Sequence, residues 1–484
     1  MTSNDITSTL GSFELVDEAI SKESDKSAYN WQPTHWLKFP VPENYDLSTP
    51  PWIRPEQVPL SFVGINVVDV ENSKILPSMT VKLKNGKIES ISKSVASHMQ
   101  EKGWESINGQ GLFLSPGLID VHTHFTASPG QPNGQLVPSS ETQTALAATH
   151  VLKGMLWRGF TTVRDVGGAN RHYKNATEQW LIPGPRIFQG GPVMSQTGGH
   201  GDDGADSDKP ITGCCSSNGT GRDSVVVDGV EECTRAARKM MRAGADHIKI
   251  CSSGGVASPT DKLDSEQFTV AEIKAICDVV RMMVSQGIFK PAHCFTSPAA
   301  RNAIEGGIGG IEHGHLLDED TLKLMAKKNI HLTPTLIVQE LLSKPPYESM
   351  IPIQSREKLK LVINGGYKVI KKAHELGVNI GFGTDCFNSM QNVQLSEFDL
   401  RKKVLNDDVI LKQATINGAK ILGMQGKIGI IQEGAFADLL LLSANPLEDV
   451  SIFNEPHKFV KGIVKDGRVV RSELRDLRVE VPLV

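Results

Sequence analysis

The chain has 484 residues, 39% of them hydrophobic and 22% charged. That is enough for a large core and more than one domain, with the composition of a soluble globular protein. A formal charge of -4 gives no basic field for nucleic acid, and no apolar run is long enough to cross a bilayer, so neither partner is expected.

Residues 1–56 read as an extension, partly disordered at its polar, acidic start. MTSNDITSTLGSFELVDEAI has acids where a secretory leader has basic residues, which predicts a cytoplasmic location. The 7 cysteines are scattered apart from Cys214-Cys215 and form no Cys-x-x-Cys, as expected of reduced thiols there. Trp31, Trp36 and Trp52 lie among prolines. Such a segment docks on a surface, either of its own chain or of another copy in a homo-oligomer.

From Leu60 the texture becomes β-like. Residues 62–68, 79–83 and 87–91 alternate or run apolar, and Lys84-Asn85-Gly86 is a hairpin signal. Residues 434–442 and 459–464 repeat that texture, followed by Lys465-Asp466-Gly467. These pieces predict one small β-sandwich-like domain built from residues 57–115 and 427–484.

The middle, residues 116–426, alternates strands and helices. Candidate strands cover 118–124, 160–165, 186–191, 246–251, 289–294, 308–313, 329–335 and 378–385. Asp228 with Glu231, and Thr269 with Glu272, fit capping boxes that start two of the helices. Eight such units predict an α/β fold, a (β/α)8 TIM barrel. A doubly wound sheet is the alternative, but no Gly-rich dinucleotide fingerprint follows the first strand.

Barrel chemistry sits at the C-terminal ends of strands. Strand one ends in His122 and His124, which project together because side chains two apart share a face. A bare His-x-His also fits a turn histidine beside a buried one. Strand four, however, carries Lys249, strand five His293, strand six Ile311-Glu312-His313 and strand eight Gly383-Thr384-Asp385. Apolar strands have no intrinsic reason to finish on such residues.

This order of His-x-His, Lys, His, His and Asp resembles the amidohydrolase superfamily in its two-metal form. PGLIDVHTH, GFTTVRDVGG, QTGGHGD, IKICSSGGV, IEHG and GTD resemble its imidazolonepropionase-like and prolidase-like branch, which includes Xaa-amino acid dipeptidases and fungal ochratoxinase-like amidohydrolases. The likeness covers roughly residues 57–470. It implies that His122, His124 and Asp385 hold one divalent ion, most simply Zn2+, and that His293 and His313 hold a second. It also implies a CO2-derived carbamate on Lys249 bridging both ions, together with a hydroxide. The alternative for Lys249 is a barrel-lining lysine in a salt bridge.

His315 is placed in the loop beyond strand six and not counted as a ligand. His247 shares the face of Lys249 one layer deeper and is structural; His331 and His374 are ordinary structural or surface residues. The Gly-, Asp- and Ser-rich loop from Met194 to roughly Asp223 shapes a substrate pocket. Its His200 is the leading non-metal candidate, to polarise a carbonyl or hold a carboxylate, while Asp202 and Asp203 are solvated or brace the loop. Arg164 and Asp165 read as a structural ion pair, and Lys344, Pro345, Pro346 and Tyr347 as a lid. Relatives often have histidine where Phe295 stands; Phe295 and Phe387 suggest an apolar or aromatic group in the substrate.

The expected activity is metal-dependent hydrolysis of a small-molecule amide: an N-acyl amino acid, dipeptide or ochratoxin-like amide, with Asp385 moving the proton. A cyclic amide or lactone hydrolase is the alternative, and a decarboxylase fits less well because Lys249 favours two metals. A catalytically dead scaffold is the reading from another class. Scaffolds lose ligand positions, and here every matching position is filled.

Overall fold

The computed structural model describes residue 54 and residues 56–95, 101–131, 139–202, 224–256, 261–283, 290–351 and 353–481. Trp31, Trp36, Trp52, Asp203, Cys214, Cys215 and Phe289 lie outside the described residues.

Both expected hairpins form. β2 (Lys74–Lys84) turns into β3 (Lys87–Lys93), and β16 (Val460–Lys465) into β17 (Arg468–Ser472). Asn85 and Gly86 take φ of 50° and 76°, and Asp466 and Gly467 take 49° and 72°. Positive φ at both central residues gives the turn twist that matches paired strands. These strands join β1 (Leu60–Asp69), β4 (Glu105–Asn108), β5 (Phe113–Pro116) and β15 (Leu439–Leu442) in one eight-stranded sheet, ordered β17-β16-β15-β5-β1-β2-β3 with β4 on β1. The antiparallel β5–β15 ladder, Pro116 opposite Leu439 through Phe113 opposite Leu442, joins the two ends of the chain. Phe62, Ile65, Val81, Leu114, Leu439 and Val464 form its core.

The middle carries parallel strands. β6 (Leu118–Thr123), β7 (Phe160–Asp165) and β8 (Arg186–Gln189) form one set. The second runs β10-β9-β11-β12-β13-β14, comprising β9 (Val193–Ser195), β10 (Ser224–Val226), β11 (Ile250–Cys251), β12 (Pro291–Thr296), β13 (Gly310–Leu316) and β14 (His331–Thr333). Helices connect them: α1 (Glu141–Trp157), α2 (Arg171–Glu178), α3 (Gly229–Arg242), α4 (Val270–Met283), α5 (Ser297–Glu305), α6 (Glu319–Lys328), α7 (Leu336–Leu342) and α8 (Arg356–Glu375). No helix among the described residues is long and apolar enough to cross a membrane.

Several expectations change. The third strand breaks at Gly190-Gly191-Pro192, where Gly191 has φ of 71° and Pro192 has no N–H to donate. The polar loop therefore begins after β9, not at Met194. Strand four is shorter than expected: β11 holds only Ile250 and Cys251, so Lys249 lies just before it, and Asp246 accepts from Lys174 at 2.6 Å and the Gln189 N–H at 3.1 Å. Segment 378–385 is held by the parallel bridge Leu332–Ile380 and, on its other side, by the Val121 N–H on the Phe382 carbonyl at 2.9 Å. A Cβ at Gly383 would meet Thr333 Cγ2 at 2.4 Å and His122 Cβ at 2.8 Å, so only glycine allows that approach.

Thr269 and Glu272 form their capping box, with the Thr269 N–H on Glu272 at 2.7 Å and the Glu272 N–H on Thr269 Oγ1 at 3.3 Å. The Asp228–Glu231 box does not form. Glu232 accepts the Asp228 N–H at 3.1 Å, and the Asp228 carboxylate instead holds Thr197. His315 is also not in a loop, since β13 continues through it to Leu316.

His331 opens β14, buried, and accepts the Asn379 amide on Nδ1 at 2.8 Å. Burial, then Lys420 and Arg164, lowers its pKa to about 4. The unfolded ring binds its proton near pH 6.5, so this group costs stability as pH falls from there toward its folded value. The expected loss is about 2 kcal/mol by pH 5. Urea melts at pH 7 and pH 5 should differ by that much less in His331→Gln, which keeps an acceptor but cannot titrate; an unchanged difference would refute this.

Candidate metal centre and active site

Leu118, Ile119 and Val121 are fully buried, and this anchors β6 so that its end presents His122, followed by His124. His122 Nδ1 lies 2.6 Å from Glu312 Oε2, and Arg164 Nη2 donates to Glu312 Oε1 at 2.6 Å. Burial alone would raise the Glu312 pKa; the Arg164 guanidinium and His122 overcome it and hold it at about 2. An ionised carboxylate only accepts, so His122 carries its proton on Nδ1 and turns the Nε2 lone pair into the site. His124 Nδ1 likewise faces the Gly167 carbonyl at 3.2 Å, which turns its Nε2 toward Asp385.

Asp385 Oδ1 lies 3.4 Å from His122 Nε2 and 3.3 Å from His124 Nε2. Two lone pairs facing a carboxylate repel unless a cation joins them, so this donor set fits a divalent ion. His122, His313 and Asp385 offer ligand atoms all within 4.8 Å of one another. His313 Nδ1 is 2.8 Å from Thr335 Oγ1.

Lys249, His293 and His200 line the same cavity of about 30 Å³, with His122, His124, His313, Asp385, Val166, Val193 and Cys251. All of the sequence-predicted site residues therefore meet at one place. Lys249 is buried, which lowers its pKa, while Glu312 opposes the shift. The His293 ring stacks on His200, with centroids 4.2 Å apart and planes 17° apart. His293 Nε2 is buried without a hydrogen-bond partner among the described residues, as an imidazole awaiting a ligand would be.

Other expectations need correction. Arg164 does not pair with Asp165. Arg164 serves Glu312, while Asp165 accepts the N–H groups of Phe125, Gly167 and Ala169 at 2.9, 3.1 and 3.1 Å. Burial raises the Asp165 pKa to about 6. Phe295 packs flat on His313, with centroids 5.0 Å and planes 10° apart, and edge-on to His293 at 5.2 Å. It buttresses ligand candidates, and with Phe387 it belongs to a buried cluster that includes Ile337, Leu342 and Met390. Asp202, by contrast, braces its loop as expected, accepting the Gly198 N–H at 2.8 Å. Tyr347 Oη meets Ser389 Oγ at 2.9 Å, tying the segment after α7 to the loop after segment 378–385.

Sequence reasoning missed Asp120, Glu312 and Asp261. Asp120 accepts Thr384 Oγ1 at 2.6 Å, Gln394 Nε2 at 2.8 Å and the His122 N–H at 3.0 Å. Burial raises its pKa against these bonds. Its spacing two before His122 was a usable signal, as was Glu312 beside His313.

The amidohydrolase family profile matches residues 113–470. Ochratoxinase from Aspergillus niger is 31% identical over 370 residues, covering 74% of this chain and 76% of that protein. A prolidase solved with N-methylphosphonate-L-proline is 35% identical, with a TM-score of 0.78 over 86% of this chain and 100% of that one. A Xaa-Pro dipeptidase with methionine in its active site is 27% identical, with a TM-score of 0.75 over the same shares, 86% and 100%. The chain belongs to the amidohydrolase family and is a hydrolase acting on carbon–nitrogen bonds.

Proposed function

We propose that this chain hydrolyses the amide of an acylated amino-acid nitrogen, as in an N-acyl amino acid, a dipeptide or an ochratoxin-like conjugate. Relatives named ochratoxinase, prolidase and Xaa-Pro dipeptidase support that class. The observation that carries the reading is the convergence of His122 Nε2 and His124 Nε2 on Asp385 Oδ1, within 3.4 Å. In this reading the parallel strands close into a (β/α)8 barrel and the eight-stranded sheet is the core of a small β domain. His122, His124 and Asp385 would hold one divalent ion, His293 and His313 a second, and a carbamate on Lys249 would link them. Zn2+ suits nitrogen and carboxylate donors.

When bound, the ions would polarise the carbonyl and lower the pKa of water toward about 7. Asp385 takes the proton of the attacking water and returns it to the leaving nitrogen. His200, in the same cavity, faces the carbonyl oxygen as it gains charge. Glu312 and Asp120 hold His122 in place.

Mass spectrometry of purified protein should find about two divalent ions per chain. Hydrolysis of a panel of N-acyl amino acids, Xaa-Pro dipeptides, ochratoxin A and lactones should vanish on chelation and return with Zn2+ and bicarbonate. Full turnover by metal-free protein would overturn the reading. Glu312→Gln, which removes the charge that fixes the His122 tautomer, should weaken metal binding roughly 10- to 100-fold by competition titration. Unchanged affinity would show that His122 needs no such partner.

A further inference from the structure

His200 stands on the loop after β9, and the wall behind it comes from a different loop. Its Nδ1 lies 3.3 Å from Asp261 Oδ2, with both side chains buried. Asp261 Oδ2 also accepts the Gly255 N–H at 3.0 Å and Gln267 Nε2 at 3.4 Å. Gln267 Oε1 in turn accepts the His200 backbone N–H at 2.9 Å. His200 main chain, Gln267, Asp261 and the His200 ring thus close one loop of polar contacts. Gly255 presses on the ring, since a Cβ there would sit 2.0 Å from His200 Cε1. Lys358 of α8 donates to the Asp261 carbonyl at 2.8 Å and ties this assembly to the segment after β14.

A histidine that merely filled space would not require a buried carboxylate on one nitrogen and a cavity at its other edge. We propose that Asp261 is a positioning residue for amide hydrolysis, acting through His200; this rests on the function proposed above. The carboxylate faces Nδ1 at 3.3 Å, an ion-pair distance, and so turns Nε2 toward the cavity that the ring lines. That orientation brings Nε2 to the side where the carbonyl oxygen gains charge, the same logic by which a buried aspartate orients a triad histidine.

The kinetic test uses metal-loaded enzyme and the panel amide that it hydrolyses fastest. Asp261→Asn should lower kcat roughly 10- to 100-fold with KM within about threefold and metal content unchanged. His200→Gln should do the same, and the double variant should be no slower than the worse single one. Wild-type kcat in Asp261→Asn, or losses that multiply in the double variant, would overturn the proposal. The second readout needs no turnover and no Asp261 variant. In 15N-histidine NMR of the wild type, assigned by difference from His200→Gln, His200 should carry a proton on Nδ1; a neutral ring protonated at Nε2 overturns the pairing. If wild type cleaves no amide, the proposed function fails while the NMR result still decides the pairing.

Discussion

Lys249→Ala should lose metal and activity together, with kcat/KM down by roughly 10³-fold or more. That corresponds to about 4 kcal/mol, in the range of several kcal/mol that metal-ion catalysis supplies. Lys249 is 4% exposed and lines the same cavity as His122, His124, His293 and His313. An ammonium there has no acceptor and repels cations, whereas a carbamate is an anionic bidentate oxygen ligand. Alanine cannot form the proposed carbamate, so metal content should drop from about two ions per chain to one or none. Short carboxylic acids should partly restore both metal and rate by filling the vacated space. Lys249→Arg should be inactive as well, because its delocalised guanidinium, always charged, is a poor nucleophile toward CO2. Normal metal content and rate in Lys249→Ala would show that the carbamate bridge is wrong.

Asp385→Asn separates chemistry from metal binding. Asn keeps an oxygen where Asp385 Oδ1 faces both histidines but has no basic site. A general base contributes roughly 10²–10⁴-fold. The expected result is a fall in kcat of that size, a modest change in KM and at least one ion retained by mass spectrometry. Wild-type kcat in Asp385→Asn would remove Asp385 as the proton carrier and make His200 the next residue to test. The Lys249 and Asp385 variants differ in what they leave behind: the first should empty the site, the second should leave it loaded and slow.

The residues of the site were legible because strand geometry is local. A two-residue period placed His122 and His124 together, and the apolar runs carrying Lys249, His293, His313 and Asp385 marked the segments that reach the cavity. The turns at Asn85-Gly86 and Asp466-Gly467 were legible for the same reason, since positive φ is a property of the residues themselves. What spacing could not show was partnership. Arg164 looks paired with its neighbour Asp165, yet it bonds Glu312, 148 positions away. Asp120 bonds Thr384 at a separation of 264, and Asp261 meets a histidine on another loop. His315 was misplaced because β13 continues through two residues of positive φ, His313 at 67° and Gly314 at 64°. Which donors arrive, and in what order, is written in the local pattern of residues, because it follows from periods of a few positions. Only the tertiary structure decided which nitrogen of each histidine faces inward, because a tautomer is set by the group behind the ring, and packing brings that group from a distant part of the chain.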